Sequence, residues 1–211
     1  GMFPIDQGSI QIDGQDVTRL PEFKRAKLIG RVFQDPMMGT AANMDIEGNL
    51  ALALRRGERR TLRWGVTNKE RERYRELLKT LGLGLEDRLT HKVGLLSGGQ
   101  RQALTLLMAT LQKPRILLLD EHTAALDPQT AAKVLELSEK IVNENHLTTM
   151  MVTHNMKDAI AHGNRLVMMN NGHIILDISG EEKKKLTVEA LLEKFAQVSG
   201  SELANDRMLL S

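Results

Sequence analysis

The sequence predicts an α/β fold built on a mainly parallel sheet, with a helical subdomain inserted into it. Three observations carry this. Residues 116–119, "ILLL", form an unbroken apolar run of strand length, the pattern of a central parallel strand covered on both faces. Strand and helix patterns alternate from about Gly98 to Val152, the order expected of parallel strands joined by crossover helices. Between residues 36 and 95 the texture changes, with helix signals and charge dominating.

Taken in order, "SIQIDGQDV" (residues 9–17) alternates Ile10 and Ile12 with polar neighbours, and Asp13-Gly14 supplies a hairpin turn. "KLIGRVFQD" reads as a strand ending near Gln34. Asp45 can cap a helix with Ile46, Leu50, Ala53 and Leu54 as apolar positions. Asn68 can cap another, with Tyr74, Leu77, Leu78 and Leu81 on one face and Gly82 at its end. A helix from near Gly98 buries Ala103, Leu106, Leu107, Thr110 and Leu111, and Lys113-Pro114 breaks it. Residues 129–143 form the next helix, with Val134, Leu135, Ile141 and Val142 inward. Residues 148–152 form a strand that ends at Thr153-His154. "RLVMMNNGHIILDI" is a hairpin around Asn171-Gly172, and Val188, Leu191, Leu192, Phe195 and Ala196 make a helical stripe.

Composition narrows the function. The 211 residues suffice for one large domain, or a domain with a subdomain. A net charge of +2 is too small to argue for a nucleic-acid partner, which needs a concentrated basic surface. No apolar run approaches the ~20 residues of a membrane span, and no secretory signal opens the sequence. Cysteine is absent, which excludes disulfides and thiolate metal sites and fits the cytosol. Gly1 before Met2 reads as a tag-cleavage scar, so Met2 is expected to open the coding sequence.

The chemistry is concentrated at strand ends. Ligands of open α/β sheets bind outside the carboxyl ends of the strands, where Asp120 and Glu121 lie. One carboxylate there commonly holds Mg²⁺ and a second can polarise an attacking water. His154, ending the neighbouring strand, could reach the same crevice. Each feature alone also fits a structural role. "LSGGQ" (residues 96–100) adds a second centre. Ser97 and two glycines precede a helix, offering backbone N–H groups, a hydroxyl and the positive end of a helix dipole to an anion.

In this order the motifs resemble those of the nucleotide-binding subunit of ABC transporters. The resemblance spans nearly the whole chain. It implies a P-loop NTPase-like core in which "LSGGQ" is the signature, with Ser97, Gly98, Gly99 and Gln100 contacting nucleotide. "ILLLDE" looks like the Walker B strand, with Asp120 toward Mg²⁺ and Glu121 as catalytic carboxylate. "AALD" looks like the D-loop, ending at Asp127. His154 looks like the switch histidine that contacts the γ-phosphate. Gln34 looks like the Q-loop glutamine, a ligand of the metal and nucleotide and a link to the transport subunit. The resemblance divides the chain into a partial core (1–35), a helical subdomain (36–95), the signature-to-switch core (96–180) and a C-terminal helical extension (181–211).

Several positions depart from the family pattern. His122 stands where Pro is usual, Ala124 where Ser is common, and Gln102-Ala103 replaces a more usual Gln-Arg. "GxxxxGK[ST]" occurs nowhere in the 211 residues. The chain is therefore expected to be truncated at its N-terminus, without the strand, phosphate loop and helix that would cradle the β- and γ-phosphates. Apolar surface is expected to be exposed as a result.

The function implied is the ATP-hydrolysing subunit of an importer, using ATP and Mg²⁺. Its implied partners are transmembrane permease subunits, a solute-binding protein and a second ABC subunit, as homodimer or paired chain. It would lie in the cytoplasm at the inner face of the membrane. Two rivals remain: a non-transport ABC ATPase of DNA repair or translation, and a non-enzymatic remnant that binds a partner. Arg55, Arg56, Arg59, Arg60 and Arg63 beside Trp64 read either as a solvated face or as a contact with a membrane subunit or anionic head groups. "QDPMMGT" and "LRWG" are similar to a subgroup of bacterial importers of aromatic amino acids or related solutes.

Overall fold

Local signals place most elements, and the computed structural model shows how they assemble. It describes residues 5–57 and 65–199 and divides into two units, Gly1–Val152 and Thr153–Ser211. Arg59, Arg60, Arg63 and Trp64 lie outside the described residues.

In the first unit, β1 (Gln11–Ile12) and β2 (Gln15–Asp16) form an antiparallel hairpin. Asp13 and Gly14 both take positive φ, 52° and 74°, as a tight primed turn requires. α1 (Glu22–Arg25) leads into β3 (Ile29–Val32). α2 (Ile46–Leu54) is capped by Asp45, whose carboxylate accepts from the Gly48 amide at 2.8 Å. α3 (Asn68–Lys79) begins one residue earlier than the Asn68 cap expected from sequence. Thr67 is the cap, because Glu70 completes a reciprocal capping box with it.

A 3₁₀ turn (Val93–Leu95) precedes α4 (Gly98–Thr110). Then follow β4 (Ile116–Asp120), α5 (Pro128–Glu144) and β5 (Thr149–Val152).

β3, β4 and β5 form a three-stranded, all-parallel sheet in that order, so the predicted parallel α/β architecture is present. Val32, Leu117 and Leu119 are buried with Ile46, Leu50, Tyr74, Leu78, Leu104 and Leu106 in one apolar core. Each such side chain contributes about 1.5–3 kcal/mol on burial. Gly30 lets β3 approach α4, since a Cβ there would stand 2.6 Å from the Ala109 carbonyl oxygen.

The expectation that β4 is covered on both faces is corrected. Its residues alternate: Leu117 and Leu119 are buried, while Ile116, Leu118 and Asp120 are only partly so. On β5, Met150 and Val152 continue the open face and are 57% and 51% exposed. An unbroken leucine run packs on a half-open sheet as readily as in a closed one, so composition alone did not separate the two.

The second unit holds α6 (Met156–Ala161), the β6 (Arg165–Asn170) and β7 (His173–Ser179) hairpin, α7 (Gly180–Lys184) and α8 (Val188–Ser199). Leu166, Ile178, Leu186 and Leu191 form its own core. Buried Lys183 closes the end of α6 by donating to the carbonyls of Ile160 (2.6 Å) and His162 (2.8 Å).

Candidate active site

Parallel strands leave the sheet at one common end, and that end gathers three of the predicted residues. Asp120 is the last residue of β4. Glu121 follows with φ 43°, a left-handed conformation that costs a side-chain-bearing residue energy and breaks the strand's extended backbone. Its amide donates to the Val152 carbonyl at 2.9 Å, which fixes this turn to β5. Gln34 stands two residues beyond β3, exposed.

Asp120 is not isolated. Arg31, on β3, donates from Nη2 to Asp120 Oδ2 at 2.9 Å, and its guanidinium lies 4.5 Å from the Phe33 ring centroid. Among the described residues no three His, Cys, Asp or Glu side chains cluster as a metal site. A single oxygen donor at a strand end suits a Mg²⁺ ion that keeps waters and phosphate oxygens as its other ligands. Arg31 shows that this carboxylate accepts a cation. The residues therefore fit a magnesium–nucleotide, with Asp120 as the residue that would hold the ion, rather than a self-sufficient metal cage.

The signature segment lies at the start of α4. Ser97 is the cap: its hydroxyl accepts from the Gln100 amide at 3.3 Å, and Gln100 Oε1 accepts from the Ser97 amide at 3.2 Å. The Ser97 hydroxyl and the Gln100 side chain are thus engaged within their own helix end. Gly98 is exposed and Gly99 buried. A Cβ on Gly99 would stand 2.2 Å from Thr130 Cγ2, so glycine there permits the starts of α4 and α5 to touch. Asp127 caps α5. Hydrogen bonds from Thr130 hold its carboxyl below the usual range, with the backbone amide at 3.0 Å.

Two residues outside the predicted site tie these pieces together. Gln102 is fully buried in α4 and donates from Nε2 to the Phe33 carbonyl at 3.1 Å, bracing the backbone one residue before Gln34. His122, 2% exposed, has Nε2 3.0 Å from Ser138 Oγ on α5. Ser138 donates its own proton to the Val134 carbonyl at 2.7 Å, so Nε2 of His122 is the donor in that pair. It anchors the turn that begins at Glu121. The departures from the family pattern at 122 and 102–103 marked these positions, but only the fold reveals the partners.

His154 lies two residues beyond the first unit's last strand and belongs to the second unit. It is exposed, just ahead of Asn155, the residue that caps α6.

Comparison with known proteins bears on the family. A family model described as "ABC transporter" matches residues 1–124. The chain is 47% identical to a tyrosine transport ATP-binding protein of Clostridioides difficile over 92% of this chain and 77% of that one. It is 36% identical to a methionine import ATP-binding protein of Corynebacterium jeikeium over 80% of this chain. It spans 44% of that relative's length and about half that of several other methionine import relatives. A solved dimeric ATP-binding cassette in a post-hydrolysis state, bound to ADP and Pi, matches with TM-score 0.68 and 28% identity. That match covers 84% of this chain and 75% of the solved one. With a family model matched over more than half of its length and a relative 47% identical to it, the chain belongs to the ABC transporter family.

Proposed function

We propose that this chain is part of the ATP-hydrolysing subunit that energises an ABC importer of an amino acid or related small solute. The observation that carries it is the carboxyl end of the sheet. There Gln34, Asp120 and Glu121 emerge together, braced by Gln102 to the helix that bears Ser97. Asp120 would hold the magnesium of Mg-ATP, Glu121 would orient the attacking water, and His154 would contact the γ-phosphate. Ser97 to Gln100 would face the nucleotide of a second ABC subunit, a reading supported by the dimeric cassette among the structural relatives. The tyrosine and methionine relatives support an amino-acid solute. Permease subunits and a solute-binding protein would be the partners, with this chain at the cytoplasmic face of the membrane.

A cavity of about 860 Å³ opens between α1, β3, α2 and α4, with Phe33, Met38 and Leu52 in its wall and arginines on its rim. Its position beside the Q-loop makes it our seat for a permease segment. No helix among the described residues is long and apolar enough to cross a membrane.

The 211 residues contain no phosphate loop, and this favours a second reading for the chain by itself: a partner-binding piece without turnover. Calorimetry with Mg-ATP separates the cases. The chain alone should show no micromolar binding, whereas the same chain preceded by a phosphate-loop strand and helix should bind. Micromolar binding by the 211 residues alone, or none by the extended form, overturns the proposal.

A further inference from the structure

Arg31 is paired with Asp120 and also lines the cavity beside the Q-loop. The sheet register explains how. Arg31 pairs with Leu118 across β3 and β4, and Asp120 lies two residues further along the same face, within the diagonal reach of a long side chain. Phe33, also on that side, supports the guanidinium plane at 4.5 Å.

We propose that Arg31 is a resident counter-ion of Asp120 that competes with the divalent metal, so that loading the metal requires the guanidinium to leave the carboxylate. This rests on the reading of Asp120 as the metal carboxylate. A guanidinium remains charged at any physiological pH, so Arg31 does not withdraw by losing its proton. A divalent ion bound to the same oxygen would meet that positive charge at hydrogen-bond range, and one of the two cations must move. The exchange is feasible because both side chains are partly exposed, at 44% and 43%, and ion pairs of that kind are weak and labile. The Phe33 ring gives the displaced guanidinium a second resting contact, next to the cavity. Arg31 thus connects the surface assigned to the permease with the carboxylate assigned to the metal.

The test uses the 211-residue chain and Mn²⁺ as probe, read by paramagnetic broadening of backbone amide signals in NMR. In R31Q, broadening centred on the Asp120 and Glu121 amides should set in at about two- to fivefold lower Mn²⁺ than in the wild type, the span expected of an exposed pair. R31K keeps the charge and should stay near the wild-type midpoint. D120N should abolish the selective broadening in both backgrounds. Unchanged amide signals elsewhere in β3 and β4 establish that each variant is folded. Equal midpoints for the wild type and R31Q would overturn the competition and leave Asp120 as a metal ligand. A shift in R31K as large as in R31Q would also overturn it. No selective broadening in either protein at any Mn²⁺ level would overturn the competition, while the magnesium–nucleotide reading of Asp120 is tested separately by the phosphate-loop form.

Discussion

His122 illustrates how a single residue supports the candidate site without belonging to it. It is buried, donates to Ser138, and begins one residue after the left-handed Glu121. His122→Ala would leave a cavity and remove a buried donor, and should cost about 1–3 kcal/mol in urea unfolding. A cost below about 0.5 kcal/mol, the range of ordinary surface changes, would show that the turn holds without it. Gln102→Ala should release the Phe33 carbonyl and raise amide exchange at Gln34 while leaving the α4 interior protected. Unchanged exchange at Gln34 would refute the bracing role. At this scale the sequence was only partly legible. Asp127 was read only as the end of the D-loop, whereas Asp45 and Ser97 were readable at their helix starts because a cap acts on its own next turn. Gln102 and His122 were not, because their partners lie 69 and 16 residues away.

Among the elements, α3 is held by polar contacts at its start. Glu70 accepts from the Thr67 amide at 2.8 Å and from Arg55 at 2.8 Å, which pulls its carboxyl down to about 2, the Thr67 bond being the larger cause. Because the folded value lies below the usual 4.5, the stabilisation is complete above about pH 4.5 and is lost as pH falls toward 2. Glu70→Gln should therefore destabilise the chain at pH 7 and flatten the acid limb of its stability curve between those values. An unchanged acid limb in the variant would contradict this. A bidentate contact from Arg71 to the buried Glu47, at 2.7 and 2.9 Å, adds a second tie between α2 and α3. Element identity was legible almost throughout, since the helical stripes and the two Asp-Gly and Asn-Gly hairpins are local patterns. The exact start of α3 was not, because Thr67 and Asn68 are both good caps and only the reach of Glu70 selects between them. The open face of the sheet was expected from the absent phosphate-loop motif, but not from the leucines of β4 themselves.

For the whole molecule, parallel order places β3 and β5 on either side of β4 and brings Gln34 and the Asp120–Glu121 pair to one end. The fold class and the family were legible because signature, acidic strand and histidine occur in a fixed order. The division at Thr153 was not, because no composition change marks it: β5 runs directly into the second unit. Exposed Met150 and Val152 leave one face of the sheet open at β5. The central claim is that Glu121 activates water once a phosphate loop holds ATP against this sheet. It is tested by single-turnover ATP hydrolysis in the chain preceded by a phosphate-loop strand and helix, comparing Glu121 with Glu121→Gln at saturating Mg-ATP. The account predicts that the variant still binds ATP but hydrolyses it about 10²–10⁴-fold more slowly, the usual worth of a positioned base. A loss of less than about tenfold, far below that range, would contradict it.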